Sequence, residues 1–284
     1  MKLIVEPEGG IGPILRAIAQ AKSAIDIVIF RLDCRSVTRH LEDAVRRGVL
    51  VRAMIARKHR GHSRDLRKLE RRLLRSGVIL SRTAGDLVRY HGKMMIVDRR
   101  ILHVYGFNYT RRDYESRSFG IETTDPALVR EALKLFDADA ARRPYRPGHR
   151  DLVVSPANSR ERLAAFIRGA RRQLLIYDPR FSDRDMHDLI AERSGAGVDV
   201  RVIGKVRHLR SPLAIEKFPG FRLHVRAIIR DGTHAFVGSQ SLGPIELDRR
   251  REVGVIVRDA AIVRRMRSVF EGDWSQTGAA RAAG

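Results

Sequence analysis

The chain carries the same motif twice, at a nearly constant offset. Residues 91–98 recur as residues 224–231, which lie 133 positions later, and Asn108 recurs as Ser241 at the same offset. Agreement at separate positions indicates a tandem duplication. The fold is therefore restricted to two similar halves, and any function based on the motif has two half-sites available.

The repeat extends over most of the chain and defines its organisation. Residues 48–52 recur as 197–201, and several positions of 125–139 recur 134 positions later. We predict an N-terminal lobe at 1–141, a linker rich in Arg and Pro at 142–150, a C-terminal lobe at 151–274 and a disordered tail at 275–284.

Each half alternates strands with helices. Apolar runs at 3–5, 24–30 and 49–55 predict strands, and helices are predicted from Pro13 and over 37–47. This alternation is typical of an α/β fold with a largely parallel sheet. We predict two tandem α/β/α lobes with mixed, largely parallel sheets. A site shared by both copies would lie at the pseudo-twofold interface.

The first copy of the motif adjoins a predicted hairpin. The apolar run 94–97 indicates a buried strand, and after a turn the run 101–105 pairs back with it. His91 and Lys93 are two residues apart, so their side chains leave the same face of an extended chain. Asn108 leaves the second strand at the same end. The hairpin thus gathers an imidazole, an ammonium and an amide on one edge of a sheet.

The charge indicates polyanionic partners. The chain has 56 Lys and Arg against 33 Asp and Glu, a net charge of +23, which suits nucleic acid, an anionic membrane surface or phosphorylated substrates. The single cysteine, Cys34, excludes an internal disulfide and fits a reducing cytosol. No apolar stretch approaches the roughly 20 residues of a membrane span. We expect a cytoplasmic protein with at most peripheral membrane contact.

One basic segment has no counterpart in the second half. It contains the cluster at 57–60 and a predicted helix whose apolar face carries Leu66, Leu69, Leu73 and Leu74. Three interpretations remain open for this helix. It lies on an anionic membrane, it contacts nucleic-acid phosphates, or it packs on the protein with a solvated basic outer face.

Two histidines facing one phosphate define a mechanism. If the halves meet about a pseudo-twofold axis, His91 and His224 converge on one pocket. One imidazole would attack phosphorus and form a phosphohistidine, while the other would protonate the leaving oxygen and then activate water or an alcohol.

The neighbouring residues would supply the electrostatics. Lys93 and Arg226 would neutralise the non-bridging oxygens, and Asn108 and Ser241 would add hydrogen bonds. Because the side chains already supply positive charge, the mechanism needs no metal or other cofactor. Since the duplication provides both half-sites, we expect a monomer that binds a phosphodiester.

The pattern H-x-K-x4-D, followed by G-S-x-N, resembles the phospholipase D superfamily. The resemblance covers nearly the whole chain and implies a two-lobed α/β fold, a phosphohistidine intermediate, no metal and His91 as the nucleophile. It assigns catalytic roles to His91, Lys93, Asp98, His224, Arg226 and Asp231, and phosphate-binding or orienting roles to Asn108, Ser239, Ser241 and Glu252.

The sequence departs from the family pattern at several positions. Arg226 stands in place of the second lysine, Ser241 in place of the second asparagine, and Gly106 where the first motif usually has serine. Glu252, which resembles the glutamate that orients a histidine, aligns with Ser118 in the first half. We therefore expect a carboxylate partner for one histidine alone.

Three functions fit these observations. The first is hydrolysis or transfer of phospholipid phosphodiesters, as in phospholipase D or cardiolipin synthase-like enzymes. The alternative is a nuclease, or a phosphodiesterase that acts on nucleic-acid ends. A further alternative is a non-catalytic module that binds polyanions, which the replacements at Arg226 and Ser241 support.

Overall fold

Two similar lobes, each built around a seven-stranded sheet, make up the fold. The computed structural model describes residues 1–56, 63–206 and 213–278. The predicted basic cluster at 57–60 and the end of the predicted tail, 279–284, lie outside these residues. Thr277, inside the predicted tail, is buried.

Within the described residues, the first half contains eight strands and five helices. The strands are β1 (Lys2–Glu6), β2 (Ala24–Ile29), β3 (Leu50–Ile55), β4 (Ile79–Arg82), β5 (Arg89–Tyr90), β6 (Met94–Val97), β7 (Ile101–Tyr105) and β8 (Ser118–Thr123). The helices are α1 (Gly12–Gln20), α2 (Arg35–Arg46), α3 (Ser63–Arg75), α4 (Arg111–Tyr114) and α5 (Pro126–Ala140).

The described part of the second half repeats this order without a helix corresponding to α3. Its strands are β9 (Leu152–Val154), β10 (Gln173–Phe181), β11 (Asp199–Val206), β12 (Ala214–Glu216), β13 (Ala227–Arg230), β14 (His234–Gly238), β15 (Arg250–Arg251) and β16 (Val253–Val257). Its helices are α6 (Ser159–Arg168), α7 (Arg184–Gly195), α8 (Pro244–Asp248) and α9 (Ala260–Trp274).

The two sheets have equivalent topologies. The first has the order β1-β8-β7-β6-β2-β3-β4, and the second has the order β9-β16-β14-β13-β10-β11-β12. In each sheet the last three strands pair in parallel and the other neighbours pair antiparallel. The predicted α/β fold with two tandem lobes and mixed sheets is confirmed, including both hairpins, β6/β7 and β13/β14.

The alternation of side chains along the strands divides the core into layers. Met94 and Ile96 of β6 point into a cluster that also contains side chains of α5, α9 and the second sheet. Met95 and Val97 point the other way, toward α1 and α2. The period of two in a strand thus gives both faces of β6 an apolar partner. The shared cluster joins the lobes, and this junction positions the site.

Helix α3 packs on the first lobe along part of the predicted apolar face. Leu73 is buried, and Leu66 and Leu69 are half-buried in the cluster of the first lobe. The assignment of Leu74 to that face is wrong, because its side chain is 56% exposed. No helix within the described residues is long and apolar enough to cross a membrane.

Candidate active site

The two motif histidines lie in one cleft between the lobes. His91 precedes β6 and His224 precedes β13, so the equivalent hairpins deliver them from opposite sides. Both line a cleft with a volume of about 300 Å³, and they are 8% and 6% exposed. The predicted convergence of the two copies is present in the geometry.

Each histidine is held by the backbone of the opposite half. The N–H groups of His91 and Gly92 donate to the carbonyl oxygen of Arg251, at 2.7 and 2.9 Å. The N–H of His224 donates to the carbonyl oxygen of Arg117 at 3.0 Å. The backbone at each histidine is thus fixed to the interface between the halves.

The arginines that make these backbone contacts carry their side chains across the same interface. The Arg117 guanidinium forms two hydrogen bonds to Asp273 of α9, at 2.9 and 3.0 Å. Arg251 lies 3.0 Å from Asp139 of α5, which is the corresponding contact in the repeat. Both pairs are buried, and they fix the relative position of the two halves.

Both histidines have a carboxylate partner, and each partner belongs to the other half. The two Glu252 oxygens lie 2.9 Å from Nδ1 of His91. Oδ1 of Asp113 lies 2.9 Å from Nδ1 of His224. The expectation that one histidine alone has such a partner is wrong, because Asp113 serves in the first half although Ser118 aligns with Glu252.

Asp113 was missed because it comes from a different place in the repeat. It lies in the short helix α4, where its N–H donates to the Thr110 side chain at the helix N-cap. Thr110 and Asn108 in turn donate to its Oδ2, at 2.6 and 2.8 Å, and Arg222 donates to Oδ1 at 2.7 Å. A threonine followed three residues later by an acid is the available sequence signal for such a cap.

The two motif cations occupy equivalent positions beneath the histidines. Lys93 donates to the carbonyl oxygen of His91, and Arg226 donates to that of His224, both at 2.7 Å. Lys93 has no exposure and its Nζ lies 3.0 Å from Nε2 of His91. Arg226 also donates to the Ser241 hydroxyl at 3.2 Å. Arg226 thus makes the same backbone contact as Lys93, the residue that it matches in the repeat.

The remaining predicted orienting residues lie in the same region. Asn108 and Ser239 line the cleft, and Asn108 holds Asp113 through its amide nitrogen. The Ser239 hydroxyl donates to the carbonyl oxygen of Val253, and its interaction with Glu252 opposes the burial that raises the pKa of that carboxyl. These side chains support the carboxylates as well as facing the cleft.

Gly106 is explained by the close approach of the two hairpins. A Cβ at this position would lie 3.0 Å from the Ser118 hydroxyl, 3.1 Å from the Phe119 carbonyl oxygen and 3.3 Å from the Gly238 carbonyl oxygen of the other half. A serine would therefore force the backbones apart.

Burial and positive neighbours keep the two imidazoles neutral. Burial lowers the pKa of His91 well below its ordinary value, and Lys93 and Arg226 add to the shift. Burial lowers the pKa of His224 to about 3, against the opposing effect of Asp113. A neutral imidazole carries the lone pair that a nucleophile or base needs.

The two carboxylates are held in different states. Burial raises the pKa of Glu252, although Lys93 opposes the shift. Burial also acts on Asp113, but the contact with His224 and the hydrogen bonds from Thr110 and Asn108 outweigh it and hold its pKa well below the usual range. Asp113 is therefore the more firmly ionised partner.

The cleft is built for an anion. Beneath its floor, burial lowers the pKa of Lys93 to about 7, which reflects the cost of a buried charge without sufficient negative partners. One acidic residue, Glu246, lines the cleft. The arginines in its lining are Arg31, Arg89, Arg180, Arg222, Arg226 and Arg250.

Phe30 is a further residue of the site that the sequence pattern did not indicate. Its ring meets the His91 imidazole edge to face, with centroids 4.4 Å apart. The Lys93 ammonium lies 5.6 Å from the centroid of the same ring. Phe30 comes from the end of β2, so no motif in the sequence links it to the histidine.

The motif aspartates do not reach the cleft, and this corrects the catalytic role predicted for them. Asp98 lies at the turn end of its hairpin and accepts N–H groups from Lys22, Ser23 and Ala24. Asp231 accepts those of residues 171–173 in the same way. Each aspartate anchors the hairpin to the start of the neighbouring strand, β2 or β10.

Residues 14–140 and 163–274 match a protein family described as cardiolipin synthase, PLD-like domain. One matched segment falls in each half of the chain. No curated protein is similar enough in sequence to count as a match. Within the described residues, no group of three or more His, Cys, Asp or Glu could hold a metal ion.

Two solved structures share the fold at low sequence identity. Polyphosphate kinase from Porphyromonas gingivalis is 20% identical with a TM-score of 0.80, and the match covers 95% of this chain and 46% of the kinase. This chain thus spans about half of the kinase's length. Phosphatidylserine synthase from Haemophilus influenzae is 11% identical with a TM-score of 0.73, and the match covers 97% and 86% of the two chains.

Proposed function

The chain belongs to the family of cardiolipin synthase, PLD-like domains, whose members act on phosphodiesters, and from this membership we propose that it is a phosphodiesterase or phosphatidyltransferase. In this proposal it cleaves or transfers phospholipid phosphodiesters through a phosphohistidine and needs no metal. The observation that carries the proposal is the pair of buried histidines, each with a carboxylate, facing one cleft lined by arginines.

The first chemical step is displacement at phosphorus. Glu252 accepts a hydrogen bond from the Nδ1–H of His91, which fixes the tautomer that carries its lone pair on Nε2 for the attack. The P–N bond forms while the bond to the leaving oxygen breaks, and His224 gives that oxygen a proton. Arg226, which lines the cleft, binds a non-bridging oxygen, and the charge of Lys93 beneath the floor helps to offset the negative charge that accumulates there.

Substrate binding prepares His224 for this role. The arriving phosphate supplies negative charge beside the imidazole, which raises the pKa of His224. Asp113, already ionised, stabilises the resulting imidazolium. In the second step His224 takes the proton of water or an alcohol, whose oxygen displaces His91 from phosphorus.

Phospholipid is the first choice of substrate. The family description names cardiolipin synthase, and a protein with the same fold is named phosphatidylserine synthase. A nuclease is the second candidate, since the many arginines of the cleft and the net charge of +23 also suit a nucleic-acid backbone. Peripheral contact with an anionic membrane, cytoplasmic location and a monomeric state belong to the same proposal.

Both substrates can be tested in one assay. Purified protein is incubated, with EDTA present, with mixed phospholipid liposomes and with plasmid DNA. Headgroup or phosphatidate release supports the lipid enzyme, and nicked plasmid supports the nuclease. Binding of DNA or liposomes without turnover favours a polyanion-binding module. The proposal is rejected if His91→Ala and His224→Ala both leave phosphodiester turnover unchanged.

A further inference from the structure

A second cavity adjoins the catalytic cleft on one side only. Its volume is about 360 Å³, which is within the range of small-molecule sites. Its walls come from the loop after β2, from α3, from the start of α4 and from Arg222. The described lining residues are Phe30, Arg31, Leu32, Asp33, Leu66, Leu69, Thr110, Arg112, Asp113 and Arg222.

The cavity lies beside the cleft and shares part of its wall. Phe30, Arg31 and Arg222 line both spaces. Asp113, the carboxylate beside Nδ1 of His224, forms part of the cavity wall, and Arg222 is one of its hydrogen-bond donors. The cavity is therefore the neighbouring space in which the body of a group bound beside His224 can lie.

The apolar part of the wall comes largely from the segment that the second half lacks. Leu66 and Leu69 of α3 and Leu32 of the loop are only half-buried, so they present apolar surface to the cavity. In the second half β11 and β12 are separated by residues 207–213 alone, a stretch shorter than the 13 residues of α3. The cavity thus breaks the pseudo-twofold symmetry of the site.

We infer that this cavity binds the apolar body of the alcohol that departs toward, or attacks beside, His224, an inference that rests on the proposed function. In the transfer step the alcohol oxygen forms a bond to phosphorus as the P–N bond to His91 breaks. Nε2 of His91 keeps the electron pair, and the alcohol proton passes to His224. The cavity selects alcohols with an apolar chain over water and methanol, because chain burial removes apolar surface from water.

The test measures the partition of the intermediate between water and alcohols of increasing length. Bis(4-nitrophenyl) phosphate is the donor, because it is soluble and its retained group is the same for every acceptor. Methanol, 1-butanol and 1-hexanol compete with water, and 4-nitrophenyl phosphate and its alkyl esters are quantified by chromatography. The wild-type preference for 1-butanol over methanol should be about tenfold or more, on the scale of methylene burial in a pocket.

The variants are Leu69→Gln and, as a second position in case the first folds poorly, Leu66→Gln. Each should reduce the preference for the longer alcohols at least about fivefold while nitrophenolate release persists. The matched control is Leu74→Gln on the exposed face of the same helix, which should behave like the wild type. Thermal unfolding shows that each variant is folded.

The outcomes separate the subsite from the function. A wild-type protein that releases no 4-nitrophenolate rejects the proposed phosphodiesterase, and the subsite with it. Release without a preference for longer alcohols rejects the subsite alone. A preference that survives in both Leu69→Gln and Leu66→Gln also rejects it.

Discussion

The two halves supply the same three groups to the site but take the carboxylate from different places. Each gives a histidine and a cation at the same spacing, with the same cation-to-carbonyl bond. Glu252 lies between β15 and β16, whereas Asp113 lies in α4. The duplication has therefore kept a histidine, a cation and a carboxylate in each half, but the carboxylate comes from a different position of the repeat in each.

The two carboxylates also differ electrostatically. Burial raises the pKa of Glu252, although the charge of Lys93 opposes the shift. Asp113 is held ionised by several hydrogen bonds, so His224 has a partner suited to stabilising a protonated ring. This suits His224 to the role of the acid proposed above.

The largest expected effect comes from exchanging the histidines for alanine. His91→Ala should reduce kcat by about 10⁴-fold or more with every diester, because no other group forms the intermediate. His224→Ala should cost about 10²–10⁴-fold with an alkyl leaving group. With a 4-nitrophenyl leaving group the first step, followed as the burst of 4-nitrophenolate, should be slowed much less, because 4-nitrophenolate leaves without protonation. Turnover should stay slow, because the second step still lacks its base.

Rates with both leaving groups measure this difference between the halves. An equal response of the two variants to leaving-group quality would contradict the assignment of distinct roles.

The interface arginines should dominate stability. Arg251→Met leaves Asp139 buried without its cation, and Arg117→Met does the same to Asp273, so each should cost about 3–5 kcal/mol of the unfolding free energy. Arg111→Met removes an exposed pair with Glu115 and should change little.

Urea unfolding of the three variants tests this, together with the double variant Arg251→Met, Asp139→Asn. The double variant should recover part of the loss, since it removes the unpaired charge. A small loss in both single variants would show that the lobes are joined without these pairs.

Removal of one carboxylate should have a smaller effect that differs between the halves. Glu252→Gln and Asp113→Asn should each lower kcat by about 10²-fold with an alkyl leaving group, because the partner histidine loses its orientation. With a 4-nitrophenyl leaving group the Asp113→Asn loss should largely disappear from the first step, which the burst of 4-nitrophenolate reports. Burst kinetics on both diesters separate the two variants, and an equal loss in every case would make the carboxylates equivalent.

The last effect, which is small for each pH unit, is a pH dependence of stability. Since the folded pKa of His224 is about 3 and the unfolded value is about 6.5, the unfolded chain binds an extra proton between these values. Stability therefore falls as pH falls through that window, by at most about 1.4 kcal/mol per pH unit. His224→Asn should flatten this dependence.

Urea unfolding between pH 4 and pH 8 gives the slope of the unfolding free energy against pH for each protein. His149→Asn serves as the control for loss of a histidine outside the cleft. Parallel curves for the wild type and His224→Asn would contradict a buried, neutral His224.

Much of the fold follows from local pattern. The hairpins could be predicted because β6 and β7 are apolar runs separated by a turn, and the spacing of His91 and Lys93 fixed their common face. The division of the core into layers follows from the alternation of side chains between the two faces of each strand. The repeat then predicted that both hairpins contribute to one cleft, and in the structure the histidines that precede them line the same cleft.

The features that the sequence did not predict depend on contacts between residues that are far apart in the chain. Asp113 reaches His224 only when the halves are assembled, and the repeat pointed to Ser118 instead. Phe30 meets His91 through sheet packing. The motif marks Asp98 and Asp231 without saying that they lie at the far ends of their hairpins. Leu74 fits an apolar helical face, but only docking on the lobe shows that it remains outside.

Trapping of the covalent intermediate tests the central claim most directly. The His224→Ala variant is mixed with bis(4-nitrophenyl) phosphate, quenched in alkali, digested and examined by mass spectrometry. If the two halves form one site with His91 as its nucleophile, the 4-nitrophenyl phosphoryl group is found on His91. Burst release of 4-nitrophenolate with the adduct on another residue, or with no adduct, would contradict the account.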